Sequence, residues 1–159
     1  MPDYSEPIDL FTRNAEQVSA NVETFATAKE AIAFAIDICS RKEACTLLPS
    51  GCEARLSDKA EALCDSKPGK HVIAAPGLEG SEKKWLGECC LKEGIRTIYD
   101  GLREHLAGID MAVTRADYGI AQTGTLVIDS TAEDLRLATM ISEIHVVLLD
   151  IGQIVDSTD

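Results

Sequence analysis

The residues best suited to chemistry cluster in one stretch, Thr114-Arg115-Ala116-Asp117, then Tyr118 to Ala121, then Gln122-Thr123-Gly124-Thr125, running on through Leu126 to Asp129. Thr123 and Thr125 place two hydroxyls around Gly124, a residue that tolerates unusual backbone angles and a close ligand approach. Such a turn can form an anion-binding concavity for a carboxylate or phosphate. Arg115 offers the positive charge that recognises such groups, and Thr114 and Asp117 flank it with further polar atoms. Gln122 can hydrogen-bond a ligand, but it cannot act as the general acid, base or nucleophile that a carboxylate would be. The same residues admit a purely structural use. Asp117 can cap the turn that follows it, and Thr123 and Thr125 can satisfy backbone groups at a tight strand entry.

Other chemistry-bearing residues carry weaker signals. Ser50-Gly51 and Pro76-Gly77 interrupt apolar runs and join the candidate ligand-binding residues as Ser50 and Gly77. The chain contains no H-E-x-x-H, P-loop or G-x-G-x-x-G pattern, so metal-hydrolase, nucleotide and dinucleotide fingerprints are absent. Six cysteines (Cys39, Cys45, Cys52, Cys64, Cys89, Cys90) form no C-x-x-C pair, and their spacing matches neither a zinc ribbon nor a ferredoxin run. Cys89 and Cys90 are adjacent, but neighbours on a helix point about 100° apart and seldom share a ligand. His71, His105 and His145 are scattered. No metal site and no cofactor bound by this chain are expected.

These residues must be positioned by the elements around them. The chain has 159 residues, 45% hydrophobic, enough for one domain with its own core. Its net charge of −12 disfavours nucleic acid and anionic membrane surfaces. The start Met1 to Glu6 is acidic and polar, unlike a secretory signal, so a cytoplasmic location without membrane insertion is expected.

Helix and strand patterns alternate along the chain, which predicts a layered α/β fold. Ile8, Leu10, Phe11, Ala15 and Val18 predict an amphipathic helix over about 5–20,. A short strand from Val22 to Phe25 is expected next. Thr27 to Glu30 reads as a capping box opening an apolar helix from Ala28 to about Ser40. Cys45 to Leu48 reads as a strand, and Ser57 as the cap of a helix from Asp58 to Cys64. A buried strand, His71 to Ala75, precedes a helix capped by Ser81 and closed by Gly94,. Arg96 to Tyr99 reads as a strand, followed by a short helix around Leu102 to Leu106. Ile109 to Thr114 and Thr125 to Ile128 are strands separated by about ten residues, too few for the usual parallel crossover, so an antiparallel pair in a mixed sheet is expected. A helix capped at Thr131 runs to Ile141, and His145 to Leu149 suits the sheet centre. The sum is a three-layer α/β/α sandwich of six or seven strands, mostly parallel. In such folds ligands bind beyond the carboxyl ends of the strands.

The stretch from Thr114 to Asp129 resembles the signature of the lactate-utilisation (LUD) domain family, of the LutC/LldG type. There a strand leads to an Ala-Asp pair (here Ala116-Asp117), then to Ile-Ala-Glu-Thr-Gly-Thr (here Ile120 to Thr125), then to an apolar strand. The His145 to Leu149 strand and the N-terminal Phe11, Arg13 and Asn14 are also similar to the family's. Two features depart from it. Gln122 stands where the family has Glu, and the chain stops at Asp159 where the family continues through a further loop and strand. The resemblance implies a single LUD-type domain over 1–159 with a fold like the NagB, RpiA and CoA-transferase enzymes. It further implies a non-redox component of an L-lactate utilisation system, partnered by iron–sulfur subunits that oxidise lactate to pyruvate. A stand-alone enzyme acting on a CoA-linked, nucleotide or sugar-phosphate ligand is the alternative the fold implies, and a binding or regulatory module is a third. If the last strand is missing, the open sheet edge would favour a homodimer.

Overall fold

A computed structural model of the chain describes residues 5–45, 70–105 and 108–157. Ser50, Cys52, the helix expected from Asp58 to Cys64 and most of the strand expected from Cys45 to Leu48 lie outside the described residues.

The framework is a parallel sheet. Its strands are β1 (Val72–Ala74), β2 (Arg96–Ile98), β3 (Ile109–Arg115) and β6 (Ser142–Leu148), in the order β2-β1-β3-β6. All three pairings are parallel, as shown by Ile73 opposite both Thr97 and Met111 and by Ala112 opposite His145. Helices α2 (Ala28–Arg41), α3 (Gly80–Lys92) and α4 (Glu133–Ile141) flank it, with a short 3-10 turn at Leu102–His105, and helix α1 (Ser5–Gln17) precedes them in the chain. The period of two along the strands sorts the core onto two faces. Ile73, Met111 and Val113 pack with Ile32, Ile36 and Cys39 of α2 and Leu86 and Cys90 of α3. Val72, Ala74 and Ala112 pack on the other side with Leu102 and with Leu137, Ala138 and Ile141. The α/β/α layering expected from the alternating pattern is therefore present.

A second, smaller sheet grows from the carboxyl end of the first. Ala116 N–H donates to Leu148 C=O at 2.9 Å, so the β3–β6 ladder continues past its end. The chain leaving β3 becomes β4 (Tyr118–Ile120), and the chain leaving β6 becomes β7 (Ile154–Val155), paired in parallel with Gly119 opposite Ile154. Strand β5 (Thr125–Val127) completes it, antiparallel to β4. This corrects the expected mixed sheet. The antiparallel partner of β5 is β4, and the pair stands apart from a four-stranded sheet that is parallel throughout. Tyr118 to Ile120 did not read as a strand because a central glycine weakens one.

Other expectations also need correction. No strand forms over Val22 to Phe25; that segment has no regular structure and leads into α2. Among the described residues β6 is an outer strand, and β1 and β3 hold the centre. Its seven residues are mostly half-buried, against the near-complete burial of β3. Ser81 and Thr131 are not caps. Glu79 and Ala132 hold those positions, and neither makes a side-chain cap bond. The capping box at Thr27 does form, with Thr27 Oγ1 accepting from Glu30 N–H and Glu30 accepting from Thr27 N–H.

Candidate functional site

The signature stretch folds as the end of β3 and the β4–β5 hairpin, and its residues divide by what they touch. Thr114 and Arg115 belong to the rim of the parallel sheet. Thr114 is fully buried, and its Oγ1 lies 2.7 Å from His145 Nε2 on the neighbouring strand. Burial pushes the His145 imidazole below its ordinary pKa. The Thr114 hydroxyl therefore serves the strand pair and does not reach into a loop. Arg115 forms ion pairs with Glu82 in the first turn of α3 and with Asp150, just past β6, at 2.7 Å. Gly77, in the loop from β1 to α3, takes φ +80, and an added Cβ there would meet Leu135 of α4. The loops after β1, β3 and β6 thus meet at the carboxyl rim, where the sheet logic places a ligand. Arg115 is only about one-third exposed and its charge is already matched by two carboxylates. An anion binding there must displace one of them, and the exposed Asp150 is the easier to displace.

Asp117 is exposed, and its Oδ2 accepts from Asp129 N–H at 2.6 Å. It closes the open end of the hairpin together with the bond from Asp117 N–H to Val127 C=O. Asp129 is held below the ordinary carboxylate range by the Thr131 hydroxyl, then by the Thr131 N–H. Asp129 is therefore set as a carboxylate and not as a catalytic acid.

Gln122, Thr123, Gly124 and Thr125 form the turn of the hairpin, and its partner is helix α1. Thr123 Oγ1 donates to Thr125 Oγ1 at 2.8 Å. Asn14 Nδ2 donates to the carbonyls of both Ala121 and Gln122, each at 2.9 Å. Gly124 takes φ +64, and an added Cβ would overlap the backbone of Asn14 and Ala15, 2.7 Å from Ala15 Cα. Gly119 lies one strand earlier beneath Phe11 and Leu149, where a Cβ would sit 2.9 and 2.8 Å from their side chains. Phe11, Ala15 and Ala121 form a small buried cluster with Leu10, Val22, Leu149 and Ile154 around it. Both glycines of the stretch are therefore accounted for by close approach of α1. The side chains of Gln122, Thr123 and Thr125 face solvent.

Reading the sequence for chemistry missed a second polar centre, at the amino edge of the sheet. Asp110 is fully buried in β3. Its carboxylate accepts from Val72 N–H at 2.7 Å, from Lys42 Nζ at 2.9 Å and from Cys45 N–H. Lys42 also meets Glu143 at 2.9 Å, and its carbonyl lies 2.7 Å from His71 Nε2. Burial by itself lowers the Lys42 pKa, but its bonds to Asp110 and Glu143 outweigh that and hold it above the ordinary value. The signal for this centre was present: a lone Asp inside Ile109 to Val113 must find a cation if the strand is buried.

Cys90 is buried between α2 and α3, and burial, then the neighbouring Cys39 and Cys89 thiols, push its pKa up to about 12. At neutral pH it is an inert thiol. A shallow groove of about 200 Å³ runs between α2 and α3, lined by Ile36, Asp37, Ser40, Cys89 and Lys92 among others. None of the sequence-predicted site residues lines it, and it is small for a ligand pocket. Among the described residues no three His, Cys, Asp or Glu side chains converge as a metal ion would require. No described helix is long and apolar enough to cross a membrane.

The family model described as the LUD domain matches residues 8–159. No curated protein and no solved structure matches the chain.

Proposed function

The chain belongs to the LUD domain family, which is associated with lactate utilisation, and on that premise we propose that it is a non-redox component of an L-lactate oxidation system. Its partners are iron–sulfur subunits that convert L-lactate to pyruvate, and the electron-carrying centres reside on them. The observation that carries this reading is the reach of the family match, which takes in α1, both sheets and the signature hairpin together.

A small carboxylate ligand would bind at the carboxyl rim beside Arg115, in place of Asp150 and next to Glu82. The substitution of Gln122 for the family's Glu supports a non-catalytic role, since an amide moves no proton at neutral pH. Deletion of the gene tests the proposal. Growth on L-lactate as sole carbon source is expected to stop while growth on glucose continues, with recovery on re-supply of the gene. Unchanged growth on lactate contradicts it.

A further inference from the structure

Helix α1 is attached to the rest of the chain in a way that sets it apart. Its buried residues, Phe11 and Ala15, share a cluster with the small sheet, separate from the two clusters that sandwich the large sheet. The surface that receives it is cut to a helix backbone. Gly124 admits the backbone at Asn14 and Ala15, Gly119 admits the Phe11 ring, and the Ala121 and Gln122 carbonyls accept from Asn14.

The connection to α2 has a defined weak point. Val22 packs with α1, whereas Phe25 is fixed against Phe34 of α2, with ring centroids 5.2 Å apart. Between them lie Glu23 and Thr24, exposed and without regular structure. Ser19, just past the helix end, holds φ +68, a left-handed conformation that a residue with a Cβ adopts at a cost. Local openings are expected where few buried apolar contacts hold a segment, and this segment has one small cluster and a two-residue hinge.

We propose that residues 5–22 form a detachable strap, and that the cradle of Gly119, Ala121, Gln122 and Gly124 accepts the same strap from a second copy of this chain. The occupant is specified by fit. The cradle matches Phe11, Asn14 and Ala15 in position, and every second copy carries those residues in that register. Exchange gives a two-fold dimer in which each copy's α1 covers the other's small sheet. The inference is independent of the lactate reading, because it concerns only how α1 is held.

A fluorescently labelled peptide of residues 5–22, added to the full-length chain, tests it by anisotropy. Saturable binding is expected, displaced by unlabelled peptide, with a Phe11→Ala peptide binding at least about tenfold more weakly. Using the peptide as the varied partner avoids any question of whether the altered chain folds. No binding up to about 1 mM peptide, or equal binding by the Phe11→Ala peptide, overturns the proposal.

Discussion

Replacing Gly124 with alanine puts a methyl group where α1 leaves no room for one. Two costs are involved, and a second glycine separates them. Gly94 also has a left-handed backbone, φ +67, but an added Cβ there meets nothing within 4 Å. Gly94→Ala should therefore cost only the conformational term, about 1–2 kcal/mol. Gly124→Ala carries the same term at φ +64 and also drives a Cβ into the backbone of Asn14 and Ala15. That clash cannot exceed the energy with which α1 is docked, because α1 can let go. Docking buries Phe11, worth about 1.5–3 kcal/mol, and makes two Asn14 bonds worth about 1 kcal/mol each at most. The expected total is about 2.5–7 kcal/mol. Urea unfolding followed through Trp85, the chain's one tryptophan, measures both variants. Hydrogen exchange should show α1 amides losing protection in Gly124→Ala while β3 amides keep theirs. Should the two variants agree to within about 0.5 kcal/mol, the assignment of Gly124 to helix docking is wrong.

Asp110→Ala removes the acceptor shared by Lys42, Val72 and Cys45 and leaves Lys42 with Glu143 as its remaining carboxylate, so a loss of about 1–3 kcal/mol is expected by chemical denaturation. The pH dependence of the same pair has a fixed sign. Lys42 has a raised pKa in the fold, so its contribution is full below the ordinary lysine value of about 10.4 and is lost as pH climbs through the folded value. Acid acts through the histidines. His145 is lowered by burial, and His105 by burial and then by Arg96. The unfolded chain therefore binds protons first, and stability should fall as pH drops below about 6.5 toward the folded values. His145→Gln should flatten that limb in a stability–pH profile, leaving the share due to His105; an unchanged limb would remove His145 from the explanation.

Much of the fold could be read from local pattern because the forces that set it are local. The Thr27 and Glu30 side chains close the start of α2 within one turn. The apolar positions of α2 fall on the face that meets the sheet, while Phe34 stays partly exposed. Ile109 to Thr114 read as a strand, and β3 lies there, although the central place expected for His145 to Leu149 belongs to it. What failed was decided by distant partners. Ser81 and Thr131 have the right chemistry for caps, yet Ser81 lies two residues past the cap position, held by Glu79, and Thr131 one residue before it, held by Ala132. Val22 to Phe25 has strand-like residues but no neighbouring strand to pair with, and its apolar side chains go instead to α1's cluster and to Phe34.

The candidate site divides along the same line. That residues 114–129 form a strand, a turn and a strand was legible from their types, and so was the need for Gly124. The identity of what approaches Gly124 was not, because Asn14 lies 107 positions from Ala121 and no periodicity connects them. The same holds for Arg115. Its charge suggested an anion site, while Glu82 and Asp150, which already occupy it, are 33 and 35 positions away. Asp110 is the opposite case. One acidic residue in an apolar strand was a readable sign of a buried ion pair, although Lys42 as its partner was not.

The claim that this chain works beside lactate-oxidising iron–sulfur subunits is tested most directly by recovering the chain, tagged at its natural expression level, from cells growing on L-lactate. The account expects iron–sulfur proteins to co-purify with it in fixed proportion, and the recovered assembly to oxidise L-lactate to pyruvate with an added electron acceptor. Recovery of the chain by itself, with all such activity left in the unbound fraction, would contradict it.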